Sequence, residues 1–303
     1  TVFHGIQDGR AVAEAPVFLC AGTMNLEDFQ KELEAEFKRN RFESPELESA
    51  YIVSEITSVP YIELPLNRKR RLTESEIRKG RVFLTRRLAN EPFQYIFGWT
   101  QFRFLDLKIG RGALIPRPET EMLPDLLGGY LKHGASVCEL GTGSGAISLA
   151  LASERPDLEV WGSELSGEAF RWSERNRMEQ SLANVRFFQG SLFEPFGEKK
   201  FDAVVANLPY IANSEHENLP PNVRDYEPRE ALFADDDGFA LIEQAIQEAP
   251  QHLKECSALF FELGEEQGSR ALDCAGRTGF FTRAAILHDM YEVPRFLAAY
   301  RER

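Results

Sequence analysis

Downstream of about residue 120, short apolar runs of β character alternate with stretches that have the apolar spacing of helices. The β-runs are residues 136–140, 158–163, 185–189, 201–206, 258–263, 282–287 and 295–300. Helical stretches between β-runs predict a mainly parallel sheet that is covered on both faces. Because the last two runs lie close together, they indicate an antiparallel hairpin at one edge. We therefore expect an α/β domain with a mostly parallel sheet of seven strands.

The segment from about residue 24 to residue 98 has a helical pattern instead. Apolar residues recur at steps of three and four, and Asn25, Ser44 and Thr73 stand where helix caps are expected. Pro45 follows Ser44 at the first helical position, where its missing N–H is not needed. This segment is predicted to be a small helical bundle.

Residues 99–115 alternate apolar and polar side chains, which predicts a β-hairpin with its turn near Gly110 and Gly112. A chain of 303 residues is long enough for two domains. Residues 1–23 are expected to be a poorly ordered extension that takes no part in the fold. They lack the basic start and long apolar core of a signal peptide.

Composition narrows the possible functions. The formal net charge of -13 gives no general attraction to phosphate backbones, so a nucleic-acid substrate is disfavoured. The four cysteines are widely spaced, which favours reduced thiols in a cytoplasmic protein. No run is long and apolar enough to predict a membrane helix. We expect no metal site, because the histidines are scattered and the acidic run at residues 235–237 reads as a loop.

A glycine-rich loop joins the first β-run of the α/β region to the helical pattern that follows it. Its residues are Glu139, Leu140, Gly141, Thr142, Gly143, Ser144 and Gly145. Such glycines permit a tight turn and let a ligand approach bare backbone, and the strand-before, helix-after context strengthens the assignment. Glu164 ends the next β-run, where a carboxylate can accept hydrogen bonds from both hydroxyls of a ribose. These features predict a nucleotide-type cofactor.

The fourth β-run ends in Asn207-Leu208-Pro209-Tyr210. The Asn207 side-chain oxygen and the Leu208 carbonyl can accept the two N–H bonds of an amide or amine, which would hold its nitrogen in line with an electrophile. Tyr210 would cover the planar group and exclude water. The tetrapeptide resembles the fourth motif of amino-methyltransferases, in which proline commonly stands at the position of Leu208. It is also similar to the motif of ribosomal RNA adenine dimethyltransferases, so it does not name the substrate.

Further segments make the resemblance specific, and they run through most of the chain. The chain resembles the peptide chain release factor glutamine methyltransferases, which are class I S-adenosylmethionine-dependent enzymes, in residues 91–98, 114–121, 226–232, 237–238 and 261–267. The resemblance implies a Rossmann-like class I methyltransferase domain over residues 120–303, preceded by a helical substrate-docking domain over 24–98 and a hairpin linker over 99–119. Within the second segment, Arg117 and Glu119 have an alternative role as salt-bridged anchors of the hairpin.

The resemblance also implies a reaction and a set of site residues. The reaction would transfer a methyl group from S-adenosylmethionine to the side-chain N5 of the glutamine in the Gly-Gly-Gln motif of release factors. The catalytic residues would be Asn207, Leu208, Pro209 and Tyr210. The cofactor-binding residues would be Glu139, Gly141, Thr142, Gly143, Ser144, Gly145, Glu164, Ser191, Leu192 and Asn207. Three alternatives stay open, namely glutamine methylation of a ribosomal protein, N6-adenine methylation of DNA or RNA, and a non-catalytic binding module that keeps the fold.

Overall fold

The computed structural model describes residues 24–302, which form two units that divide between Ala89 and Asn90. Residues 1–23, which were expected to be a poorly ordered extension, lie outside the described residues. Within residues 24–302, no helix is both long and apolar enough to cross a membrane.

The first unit is a helical bundle, as predicted. It contains α1 (Leu26–Arg39), α2 (Pro45–Thr57), a 3₁₀ helix (Tyr61–Leu66) and α3 (Glu74–Leu88). The Asn25 side chain accepts the N–H of Asp28 and so caps α1. Thr73 and Glu76 form the reciprocal capping box that begins α3. Ser44 precedes α2, but its hydroxyl makes no capping bond, because its backbone (φ -129°, ψ 64°) departs from extended cap geometry.

The second unit begins with α4 (Phe93–Phe97) and a hairpin of β1 (Trp99–Phe102) and β2 (Leu105–Lys108). The predicted hairpin is present, but the predicted turn near Gly110 and Gly112 is wrong. The chain turns at Arg103, which has a φ of 51° and ion pairs through its guanidinium with Asp125 and Glu154. A Cβ on Gly110 would lie 2.6 Å from the Trp172 ring, so close packing explains that glycine.

A sheet of seven strands forms the centre of the second unit, which confirms the prediction. Its order is β10-β11-β9-β6-β3-β4-β5, and only β11 pairs antiparallel with its neighbours. The strands are β3 (Ser136–Leu140), β4 (Glu159–Glu164), β5 (Val185–Gln189), β6 (Phe201–Ala206), β9 (Leu253–Glu262), β10 (Arg283–His288) and β11 (Pro294–Arg301). A separate short pair consists of β7 (Ile211–Ala212) and β8 (Phe233–Ala234), which the sequence patterns did not predict.

The helices of the second unit connect these strands. They are α5 (Met122–Gly128), α6 (Ala146–Glu154), α7 (Gly167–Glu179), α8 (Pro221–Arg224), α9 (Arg229–Leu232), α10 (Asp235–Gly238), α11 (Ala240–His252) and α12 (Gly268–Arg277). Short 3₁₀ helices span Glu119–Glu121, Glu194–Phe196 and Asn213–Asn218. The short α10 contains left-handed residues at Asp236 and Asp237, so it is a tight turn more than a regular helix.

Both faces of the sheet are buried, as a parallel sheet requires. Side chains alternate along each strand, so Val137 packs into one core with α6, whereas Cys138 packs into the other core with α11. The chain leaves β3 for β4 and β5 on one side and then returns to β6 on the other side. This reversal of strand order brings the carboxyl ends of β3, β4 and β6 together, where open α/β sheets bind ligands.

Candidate active site

The glycine loop after β3 adopts a conformation that only glycine takes up readily. Gly141, Gly143 and Gly145 have φ values of 70°, 55° and 85°, in the left-handed region. The loop is tied to the end of β4, because the N–H groups of Gly141 and Thr142 both donate to the Ser163 carbonyl, at 2.8 and 3.1 Å. A bare backbone surface is thereby held beside the switch point of the sheet.

Glu164 organises the same loop from the end of β4. One carboxylate oxygen accepts the N–H of Gly143 at 2.8 Å, and the other accepts the N–H of Ser166 at 2.8 Å. Burial raises the pKa of this carboxyl above its ordinary value, and the two backbone donors oppose that shift. Each oxygen keeps a second lone pair, so the carboxylate can still accept hydrogen bonds from a ligand.

Glu139 is a fully buried carboxyl of the site. The N–H of Ser148 donates to it at 2.9 Å, and the Ser148 hydroxyl donates to the same oxygen. Burial raises the pKa of Glu139 to about 8, against the effect of both Ser148 bonds, and the nearby Glu164 raises it further. Ionising a carboxyl group in this position costs free energy unless a positive charge lies beside it.

The raised pKa of Glu139 predicts how stability depends on pH. Between 4.5 and about 8 the folded state holds this proton more tightly than the unfolded state, so the free energy of unfolding falls as pH rises through that range. Glu139→Gln removes the ionisation. Both melting temperatures are measured without cofactor. We expect the melting temperature of the variant, relative to that of the unsubstituted protein, to be roughly 5 °C higher in mildly alkaline buffer than in acidic buffer. A gain that does not change with pH would contradict this assignment.

Asn207 follows the last residue of β6 and is held by a chain of two hydrogen bonds. Its amide Nδ2 donates to Thr120 Oγ1 at 3.1 Å, and the Thr120 hydroxyl donates to Glu262 Oε2 at 2.8 Å. No hydrogen bond reaches Asn207 Oδ1 from any residue between 24 and 302. Burial raises the pKa of Glu262 to about 7, and the bond from Thr120 opposes this shift. The Asn207 carboxamide therefore has a defined direction, with its oxygen left for another partner.

Leu208 and Tyr210 attach the rest of this loop to the protein. The Leu208 side chain is buried in the core and would lie 3.2 Å from a Cβ on Gly141, so it links the two loops of the site. The Tyr210 carbonyl accepts the Nε2 of Gln267 at 3.0 Å. Gly238 packs on the same carbonyl, since a Cβ added there would lie 2.1 Å from the Tyr210 oxygen.

This contact predicts that Gly238→Ala displaces the loop that carries Asn207 and Tyr210. The added methyl clashes with backbone, which cannot rotate away, at a φ of 79° that disfavours alanine. We expect kcat to fall by roughly 10- to 100-fold, because small misplacements of reacting groups are costly. Gly279→Ala is the matched control, since its φ of 63° imposes similar strain with nothing within 4 Å. Equal activity losses in the two variants would contradict the role given to this contact.

Arg117 takes part in an ion pair, although its partner is not in the hairpin. Its guanidinium lies 2.7 Å from Glu227 Oε1, and Glu227 Oε2 accepts the N–H of Ile115 at 3.1 Å. The salt bridge expected of Arg117 is therefore present, and it anchors the end of the predicted hairpin segment, because the same buried Glu227 carboxylate holds the Ile115 N–H. The pair joins two of the segments on which the family resemblance depends.

A cavity of about 390 Å³ lies where these loops meet. Of the residues predicted for the site, its lining includes Glu139, Gly141, Thr142, Gly143, Ser144, Glu164, Ser191, Leu192, Asn207, Leu208 and Pro209. Gly145 and Tyr210 do not line it, because Gly145 lies under the Leu149, Phe187 and Ser173 side chains and Tyr210 packs against the core. Lining residues that were not predicted include Thr120, Leu165, Ser166, Pro228, Glu230 and Leu241. Within residues 24–302 no cluster of potential metal ligands occurs.

Two family models match the chain, and they follow its two parts. Residues 28–98 match the PrmC N-terminal domain, and residues 120–220 match the methyltransferase small domain. A release factor glutamine methyltransferase of Geobacter sulfurreducens is 37% identical over 238 residues, which are 78% of this chain and 84% of the relative. The chain belongs to the release factor glutamine methyltransferase family.

Other family members match over similar lengths. The release factor glutamine methyltransferase of Thermodesulfovibrio yellowstonii is 33% identical, with 80% of this chain and 88% of the relative covered. Among solved structures, the hMettl16 catalytic domain has a TM-score of 0.54 at 16% identity, and covers 86% of this chain and 93% of its own. A methyltransferase from Pyrococcus furiosus has a TM-score of 0.50 at 17% identity, with 75% and 98% covered. At these identities the structural matches establish the fold.

As a family member the chain is a methyltransferase, and its methyl donor is S-adenosylmethionine. The cavity fits such a group. Thr142 Oγ1 is buried in its wall without a partner in the described part of the chain, so it can bond to a ligand. A Cβ on Gly143 would meet nothing within 4 Å, which leaves the loop backbone open to the cavity. The Glu164 carboxylate adds acceptor capacity to the same cavity.

Proposed function

We propose that this enzyme transfers a methyl group from S-adenosylmethionine to the side-chain N5 of the glutamine in the Gly-Gly-Gln motif of peptide chain release factors, in the cytoplasm. The observation that carries the proposal is the direction of the Asn207 carboxamide. Its nitrogen is engaged by Thr120, so its oxygen is available to accept an N–H from a substrate. The names of the curated relatives support release factors as the substrate.

The chemistry of a glutamine side chain explains why an oxygen is needed at this position. An amide nitrogen is a poor nucleophile because its lone pair is delocalised into the carbonyl. When bound, S-adenosylmethionine supplies an electrophilic methyl carbon on a positively charged sulfur. Asn207 Oδ1 and the Leu208 carbonyl would accept the two amide N–H bonds and hold the nitrogen in line with that carbon, and such positioning contributes several kcal/mol. Because the amide nitrogen would lose its excess proton to solvent only after it has gained the methyl group, these residues need to supply no general base.

The other predicted residues take supporting roles in the proposal. Pro209 would stiffen the loop after Asn207, and Tyr210, which lies outside the cavity lining, would cover the planar amide group from the substrate side. The residues that would contact the cofactor are Glu139, Gly141, Thr142, Gly143, Ser144, Glu164, Ser191, Leu192 and Asn207. Gly145 does not line the cavity, and it would act only through the shape of the loop. Glu139 and Glu164 would face the positively charged and hydroxyl-bearing parts of the cofactor, because carboxylates favour cations and donors.

We further propose that residues 24–98 dock the protein substrate, that residues 99–119 link the domains, and that residues 120–303 carry out catalysis. The family match over residues 28–98 supports a dedicated amino-terminal domain. Overall acidity disfavours a nucleic-acid substrate, because phosphate backbones are bound by basic surfaces.

Parallel incubations test the substrate class. The enzyme and a cofactor with a labelled methyl group are incubated with a release factor, with ribosomal proteins and with ribosomal RNA. We expect label in the release factor, and none once its Gly-Gly-Gln glutamine is replaced. Label in a ribosomal protein or in RNA, with the release factor unlabelled, would overturn the proposed substrate.

A further inference from the structure

We infer that Thr120 and Glu262 are positioning residues that set the direction of the Asn207 carboxamide. This inference rests on the proposed function, since it assumes that Asn207 Oδ1 accepts an N–H from the substrate. A carboxamide can rotate by half a turn and exchange its oxygen and its nitrogen with almost no change in shape. If Asn207 were reversed, it would present an NH₂ group to the substrate NH₂ group, and two donors cannot bond to each other. Some feature of the protein must therefore exclude the reversed orientation.

The order of donors and acceptors in the two hydrogen bonds from Asn207 to Thr120 and from Thr120 to Glu262 excludes the reversed orientation. A threonine hydroxyl has a single hydrogen, and Thr120 donates it to Glu262 Oε2 at 2.8 Å. The hydroxyl can then act only as an acceptor toward Asn207, so the group that faces it must be Nδ2, at 3.1 Å. A carboxylate cannot donate, so it determines the direction of both hydrogen bonds. Glu262 thus acts on the substrate through two other residues, Thr120 and Asn207, and does not contact the substrate itself.

Burial protects this arrangement from competition by water. Thr120 is 3% exposed and Glu262 is 1% exposed. The two residues lie 142 positions apart in sequence, Thr120 in the 3₁₀ helix before α5 and Glu262 at the end of β9. They meet beside the cavity because β9 pairs with β6, the strand that leads to Asn207. Burying a carboxylate costs desolvation free energy unless the group has partners. This cost argues that Glu262 has a role that a neutral side chain would not fill, namely to accept from Thr120 without being able to donate.

Charged residues near Glu262 affect the pKa of its carboxyl group in opposite directions. The positive charges of Arg295 and Arg117 favour the carboxylate, whereas Glu119 disfavours it. Arg295 is itself paired with Asp289, and Arg117 with Glu227, so neither charge is devoted to Glu262. Burial, with a further contribution from the Glu262 carboxylate, raises the pKa of the Tyr210 hydroxyl to about 12, so this hydroxyl stays neutral near pH 7. With burial as the dominant effect, the pKa of Glu262 is raised to about 7.

Protonation of Glu262 would reverse the direction of the two hydrogen bonds that link Glu262, Thr120 and Asn207. A carboxylic acid donates to Thr120, the Thr120 hydrogen turns toward Asn207, and the carboxamide then presents its oxygen to Thr120. The NH₂ group of Asn207 would face the substrate, and turnover would stop. Activity should therefore be lost as pH falls through the ionisation of Glu262 and regained as pH rises.

Substitutions of Thr120 test the direction of the hydrogen bonds. Thr120→Val keeps the shape and removes the hydroxyl, whereas Thr120→Ser keeps the hydroxyl and serves as the matched control. The readout is the single-turnover rate at saturating cofactor, on an acceptor that the unsubstituted enzyme methylates. We expect T120V to lose roughly 30-fold or more and T120S to lose less than about threefold, with the cofactor Kd unchanged in both. Equal rates in the two variants would overturn the inference.

A second variant keeps the inference testable if T120V does not fold. Glu262→Gln keeps the shape but cannot ionise, and its carboxamide can face Thr120 with either its oxygen or its NH₂ group, so it no longer sets the direction of the hydrogen bonds. We expect the unsubstituted enzyme to lose activity about tenfold per pH unit below the ionisation of Glu262, and E262Q to lack this limb of the profile. An unchanged limb in E262Q would overturn the inference. If the unsubstituted enzyme leaves the release factor unmethylated, the proposed substrate fails instead, which is a separate result.

Discussion

Asn207→Ala is expected to lower the single-turnover rate by roughly 100- to 1,000-fold, which is the scale of removing one preorganised hydrogen-bonding group from a transition state. The substitution removes the oxygen that would accept the substrate N–H, and with it the alignment of the amide nitrogen. Thr120 remains bonded to Glu262, so the surrounding fold should persist. The measurement is rapid mixing of enzyme, saturating cofactor and release factor, followed by quantification of the methylated product.

Two controls separate this chemical effect from a general loss of structure. The melting temperature of N207A should stay within a few degrees of the original, and its cofactor Kd should change by less than about tenfold. An N207A enzyme that folds, binds cofactor and turns over at the original rate would remove Asn207 from the reaction. A loss of cofactor binding that accounts for the whole rate change would instead make Asn207 a cofactor ligand alone.

Gly143→Asp is expected to weaken cofactor binding by at least about 100-fold. The new side chain would project into the cavity, because nothing lies within 4 Å of a Cβ at this position. Its charge would also stand beside Glu164, whose carboxylate accepts the Gly143 N–H at 2.8 Å. Repulsion between two close carboxylates in a partly buried site costs several kcal/mol. Calorimetric titration with S-adenosylmethionine measures the effect.

Gly134→Asp is the matched control for this variant. Gly134 has a φ of 73° and open space around its Cβ, so it imposes comparable backbone strain, but it is exposed and does not line the cavity. We expect G134D to keep the original cofactor affinity. Comparable losses of affinity in G143D and G134D would show that strain dominates, and the cavity at the glycine loop would then not be the cofactor site.

Local patterns in the sequence were sufficient to predict the elements that build this site. The β-runs at 136–140, 185–189 and 201–206 coincide with strands β3, β5 and β6. The cap at Asn25 and the capping box at Thr73 also formed as predicted, since each depends on residues within one turn. The carboxyl ends of the strands then place the glycine loop, Glu164 and Asn207 around one cavity.

Features that depend on distant contacts were not predictable in this way. The bond between Thr120 and Glu262 joins a segment before the sheet to its middle strand, and no local pattern encodes that meeting. The sequence predicted a salt bridge for Arg117 but no partner, because Glu227 lies 110 positions away. The hairpin turn was misplaced because glycine is the usual signal for a turn, whereas here Arg103 adopts the left-handed conformation and two acidic side chains hold its guanidinium.

The central claim is that the nitrogen of a glutamine side chain is the atom that receives the methyl group. Tandem mass spectrometry of the release factor, after reaction with the unsubstituted enzyme and a cofactor with a deuterated methyl group, tests this claim directly. The account predicts a single labelled methyl on the side-chain nitrogen of the Gly-Gly-Gln glutamine. A label on a carboxylate oxygen, on a backbone nitrogen or on any other residue would contradict it.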